Sequence, residues 1–174
     1  MHLDDDMRRV VAEQSLGFVA TVCPDGTPNL SPKGTTIAWG DEHLAFLHIC
    51  SPGTVTNLAA NPAIEVNVVD PIVRTGYRFK GEAEVLTGGD RYEAVLEHFR
   101  NERGSDTSRV QAVVLVRVDH AAALVSPAYD AGATEEEVVT RWRDHHLRLA
   151  EVRLRPPSTN RATPAAGSPG GGSR

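Results

Sequence analysis

Runs of β-branched and aromatic residues, each broken by Gly, Pro, Asn or Asp, set the pattern of this chain. "GFVATV" from Gly17 reads as a strand, "PDG" as a tight turn, and "TPNLS" as the returning arm of a hairpin. "GTTIAW" and "HLAFLH" form a second pair across "GDE". "AIEVNVV", "GYRFKGEAEVLT" and "QAVVLVRVDHAAALV" read as three further strands. Helical spacing marks the segments between and around them. Asp4 to Leu16 reads as a helix whose acids complement its N-terminal dipole, with Gly17 as its stop. In "RYEAVLEHFRNER", Tyr92, Val95, Leu96 and Phe99 share a face. Asp90 and Glu93 resemble a capping box there, and Gly104 ends the helix. "ATEEEVVTRWRDHHLRLAEV" is a last amphipathic helix opened by Thr134 and Glu137.

Short links between strands require antiparallel order. The expected architecture is mainly β with flanking helices (α+β), a small six-stranded antiparallel barrel. Such barrels open a groove that a second subunit completes. One domain is expected over residues 1–155. Residues 156–174 are rich in Pro, Gly, Ser and Ala and lack the apolar surface to offset chain entropy, so a disordered tail is expected.

Charge narrows the function. The 174 residues carry 18 Lys and Arg against 23 Asp and Glu, a formal net charge of -5. A general nucleic-acid or membrane binder would present a basic face, so neither partner is expected. The N-terminus "MHLDDDMRRVV" has acids where a signal peptide needs bases, and no apolar run is long enough to span a bilayer. These features predict a cytoplasmic protein. Cys23 and Cys50 stand far apart without a Cys-x-x-Cys pattern, and buried reduced thiols are expected.

Familiar catalytic motifs are missing. There is no Gly-x-Gly-x-x-Gly after a strand, no phosphate-loop lysine motif and no Gly-x-Ser-x-Gly elbow. His145 and His146 are adjacent on a helix and cannot chelate one metal as an i, i+4 pair does, so no metal site is expected. His48 ends an apolar strand and reads as a packed or hydrogen-bonded histidine rather than a ligand or base. No side chain stands out as a catalytic acid or base.

Three segments carry candidate binding chemistry. "CSPGTVTNLAANP" is a short helix with sharp ends. Ser51 is a suitable N-cap, Pro52 fits the first helical position, Gly53 permits close approach, and Pro62 discourages helix at Asn61. Free amides, hydroxyls and a positive dipole end together suit an anion. "PNLSPKGTT" places Lys33 just beyond a hydroxyl and a proline. In "GYRFKG", Arg78 and Lys80 are two apart and share a strand face. The three segments could converge on one phosphate or other anion.

In this order and spacing, "FVATVCPDGTPNLSPKGTT", "SPGTVTNLAANPAIEVNVVD" and "GYRFKGEAEV" resemble the flavin-binding split barrels related to pyridoxamine 5′-phosphate oxidase, over roughly residues 16–125. The resemblance implies a six-stranded split barrel, a homodimer and FMN at the dimer groove. Carried over by position, Asn29, Ser31 and Lys33 would line the flavin edge and phosphate. Ser51, Thr54 and Asn57 would hold the phosphate at the helix start, with Arg78 and Lys80 on the neighbouring strand. Relatives often carry a cation where this chain has Gly53 and Thr54, and Lys33 is the candidate substitute. The implied activity is that of an FMN-dependent oxidoreductase acting on an unidentified small molecule, with NAD(P)H as candidate electron donor. A deazaflavin or haem on the same fold, and a non-catalytic flavin-binding protein, are the alternatives. "RDHHLRL" holds Arg and His in a context unlike the phosphate grip of true pyridoxamine 5′-phosphate oxidases, so vitamin B6 chemistry is not implied.

Overall fold

A computed structural model describes residues 1–154. The Pro/Gly/Ser-rich segment 156–174, expected to be disordered, lies outside the described residues. The strands are β1 (Gly17–Val22), β2 (Pro28–Lys33), β3 (Ile37–Trp39), β4 (His43–His48), β5 (Ala63–Val69), β6 (Thr75–Leu86) and β7 (Ala112–Val125). The helices are α1 (Asp5–Gln14), α2 (Pro52–Ala60), α3 (Asp90–Arg103), α4 (Pro127–Asp130) and α5 (Glu135–Leu154).

All seven strands join one antiparallel sheet in the order β2-β1-β5-β6-β7-β4-β3. This corrects the expected count of six. It also corrects closure: β2 and β3 are the two edges, and no ladder joins them. The sheet curls around a core of Val19, Phe46, Val66, Phe79 and Val116, all fully buried. Helix α1 contributes Val10 and Val11 to that core. Helix α3 packs on the other side of β4 and β7, burying Val95, Leu96 and Phe99 against Ala45, Leu47 and Val113.

Local chemistry explains most ends. Asp4 caps α1, accepting from the Met7 amide at 2.8 Å, and Ser15 rather than the expected Gly17 closes the helix, in the left-handed region. Thr134 and Glu137 form the reciprocal box that opens α5, at 2.9 and 3.3 Å. The box expected at Asp90 does not form. Gly89 is the cap residue of α3, and Asp90 already lies inside the first turn, where its charge still suits the dipole. The thiols differ from expectation as well: both are free, but Cys50 is exposed and Cys23 half-buried. No described helix is long and apolar enough to cross a membrane.

Candidate functional site

Alternation along β2 sends Asn29, Ser31 and Lys33 to one side, while Pro28, Leu30 and Pro32 face solvent. Lys33 is 5% exposed. Its ammonium donates to Ser31 Oγ at 2.5 Å and to Ser51 Oγ at 2.9 Å, and lies 5.9 Å from the centroid of the Phe46 ring. Among the described residues its hydrogen-bond partners are these two hydroxyls, with no carboxylate. Burial pushes its pKa down, because the charged form loses water without gaining a counter-charge.

Strand β4 feeds α2 directly into this corner. Pro52 occupies the start of the helix, and Asn61 leaves it in an extended conformation before Pro62. Ser51 does not cap the helix with its side chain as expected. Its hydroxyl is taken by Lys33 instead. A buried ammonium must find acceptors within the protein, whereas a first-turn amide at the surface can bond water. A Cβ at Gly53 would meet nothing nearer than Asn29 Oδ1, at 3.9 Å. The helix start is therefore open on the side that Asn29 and Lys33 border.

Thr54 and Asn57, one turn further on, are both buried. Asn57 Nδ2 donates to Thr21 Oγ1 at 3.0 Å and approaches Cys23 Sγ at 3.5 Å. Asn29 Nδ2 donates to the same Thr21 oxygen at 3.1 Å. The two amides thus fasten α2 and β2 to β1 and set the floor of the corner.

Arg78 and Lys80 do not join this group. In register, Lys80 stands opposite Glu65, which stands opposite Ala20; Asn29 stands opposite Thr21. Ala20 and Thr21 are neighbours in sequence, so their side chains leave opposite faces of the sheet. The two strand cations share a face as expected, but it is the outer one. Arg78 Nε pairs there with Glu65 at 3.1 Å. Lys80 borders a cleft of about 340 Å³ with Ala20, Val22, Pro28 and Ala63. Within the chain the three segments do not meet at one point: Lys33, Ser31, Ser51 and Asn29 gather at the start of α2, and Arg78 and Lys80 stand on the outer face.

His48 sits on the Phe46 face of β4 and is 6% exposed. Its Nδ1 is buried without a partner among the described residues. Burial, and next the Lys33 charge, lower its pKa, which favours the neutral imidazole. The sequence offered one signal for its place here: it stands three residues before Ser51, where a strand turns into the helix. Thr21 carried no such signal, since its role arises from pairing with a strand eight residues away. Among the described residues, no group of three or more His, Cys, Asp or Glu could hold a metal ion.

The family model described as pyridoxamine 5′-phosphate oxidase matches residues 3–124. The chain belongs to that family. Among solved structures it is similar to HupZ of Group A Streptococcus, at 31% identity over 71% of this chain and 95% of that one, with a TM-score of 0.64. An F420 reductase matches at 22% identity over 69% of this chain and 98% of its own, with a TM-score of 0.54. An FMN-binding protein from Syntrophomonas wolfei subsp. wolfei matches at 12% identity over 69% and 84%, with a TM-score of 0.58. The last two likenesses concern the fold alone. No curated protein matches the chain.

Proposed function

We propose that this chain binds FMN and serves as an oxidoreductase acting on a small molecule, with NAD(P)H as the electron donor. One observation carries the reading: Lys33 is a buried ammonium held by two hydroxyls and, among the described residues, without a counter-charge. Such a group costs several kcal/mol of desolvation unless an anion joins it. The FMN phosphate is an anion of suitable charge, and the adjoining start of α2 offers dipole and amides to the same ligand. Ser31 and Ser51 would orient the ammonium, and Asn29 would border the phosphate. Bound FMN would supply the transfer of hydride or electrons; the protein's part is to position it and tune its charge. Membership of the family described as pyridoxamine 5′-phosphate oxidase supports the redox reading.

Purified protein reconstituted with FMN should show two visible flavin bands that bleach on anaerobic addition of NAD(P)H. A Soret band, or no retained flavin, would overturn the reading; bands inert to every reductant would leave a binding protein in place of an enzyme.

The assembly we propose is a homodimer. The outer sheet face leaves Leu30 66% and Phe18 43% exposed, beside exposed Val22 and Val69. It also buries Asn67 Oδ1 without a partner among the described residues. An apolar patch of this kind marks an association surface, and a two-fold partner would cover it. Leu30→Asp is expected to convert dimer to monomer in light scattering while leaving the fold intact, because Leu30 packs little within its own chain. Wild-type protein that is monomeric with flavin bound would remove the shared-groove arrangement.

A further inference from the structure

We propose that His48 is a further ligand of the anion held at Lys33, and that the anion enters together with a proton taken up by the imidazole. This rests on the anion-site reading of Lys33 but goes beyond it. A buried imidazole nitrogen without a partner costs more than a satisfied one, and buried polar groups are nearly always paired. Nδ1 of His48 is such a nitrogen. It lies beyond Phe46 on the same strand face, and the Lys33 ammonium lies over the Phe46 ring. The Lys33 charge acts on His48, so an oxyanion received by Lys33 enters the neighbourhood of an imidazole whose Nδ1 has no partner among the described residues.

The electrostatics are unusually simple, because few charges compete. Helix α2 (PGTVTNLAA) and strand β3 (IAW) contain no charged or titratable side chain. Residues 110–116 of the β7 side, VQAVVLV, contain none either. On β2 the one charged group is Lys33. Cys50, two residues beyond His48, is exposed. In the free protein burial first, and the ammonium second, oppose protonation of the imidazole. A bound anion counters both by placing negative charge beside the imidazole and the ammonium. The imidazole pKa is then higher in the complex than in the free protein. By linkage, affinity rises as pH falls through the pKa of the complex, and levels off below the pKa of the free protein.

Sulfate is the suitable probe, since it does not titrate in this range whereas a phosphate monoester does, with its second pKa near about 6. Calorimetry on the full apo chain should show sulfate binding tightening as pH falls from about 8, reaching about tenfold for each unit by which the His48 pKa rises once pH lies below the pKa of the free protein. In His48→Gln the affinity should be independent of pH. Ring-nitrogen NMR of the wild type follows the same pKa without any substitution, and should move upward on adding sulfate. A pH-independent affinity in the wild type, an unmoved His48 pKa, or a dependence that persists in His48→Gln would overturn the proposal while leaving the Lys33 site standing. Failure of the wild type to bind sulfate or FMN at any pH would overturn the Lys33 site and this inference together. FMN bound with a proton linkage that changes in His48→Gln, and riboflavin with none, would identify the phosphate of the flavin as the natural anion; a His48-dependent linkage with sulfate alone would assign the site to a free oxyanion.

Discussion

Lys33→Met should weaken FMN binding by about ten- to a hundredfold and leave riboflavin binding as it was. The range follows from losing a hydrogen bond to a charged group, roughly 1.5–3 kcal/mol. Riboflavin lacks the phosphate, so it reports on everything except the Lys33 contact. Methionine keeps most of the lysine stem and gives up only the ammonium that lies over Phe46. Equal weakening of both ligands would put Lys33 at the flavin ring; unchanged affinity for both would remove it from the site. Stability gives an independent reading. Burial lowers the Lys33 pKa below its unfolded value of 10.5. Between the folded and the unfolded pKa, the unfolded chain binds more protons, so stability rises with pH through that window. Below it the buried charge weighs fully against the fold. Wild-type apoprotein should therefore gain stability as pH rises toward 10.5, and Lys33→Met should lose that slope. A slope that survives the substitution would mean that Lys33 is solvated.

All seven strands were legible as segments, because each combines apolar or β-branched residues with turn chemistry at both ends. "PDG" folds as read: Gly26 takes a positive φ of 82° and the Asp25 carboxylate accepts the Thr27 amide. The count and closure of the barrel were not legible. Closure depends on a ladder between β2 and β3, and no property of "PNLSPK" or "IAW" says whether two edges meet. The site was legible in part, for a similar reason. A spacing of two places Arg78 and Lys80 on one face, but only the register across β1, β5 and β6 tells which face. Lys33 could be found because a lysine between Pro32 and Gly34 is out of place in an apolar hairpin. The use of Ser51 was not: a hydroxyl before Pro52 suits a helix cap equally well, and only the fold brings a buried ammonium to compete for it.

Gly81→Ala should cost about 3 kcal/mol, at the upper end for overpacking a well-filled interior. In a chain of this size that lowers the melting temperature by roughly 10 °C. The cause lies in the register of β6 against β7. Lys80 stands opposite His120 and Gly81 opposite Val118, so Asp119 is passed over and β7 carries a bulge. The bulge drives the Arg117 carbonyl into the space a Cβ on Gly81 would occupy, with Arg117 C at 2.9 Å and Val118 Cα at 3.2 Å from that position. These are backbone atoms, and a rotamer change cannot clear them. The backbone cannot retreat freely either, because the Val118 amide is tied to the Glu42 carbonyl at 2.9 Å. Relief therefore requires opening the β6–β7 ladder, the longest in the sheet. Gly88→Ala is the control: a Cβ there meets nothing within 4 Å, and the melting temperature should hardly move. Equal melting temperatures for the two variants would show that the bulge yields, and that glycine at 81 is not required by packing. A selective loss at Gly81 would instead show that this glycine is what lets β7 cross β6 out of step.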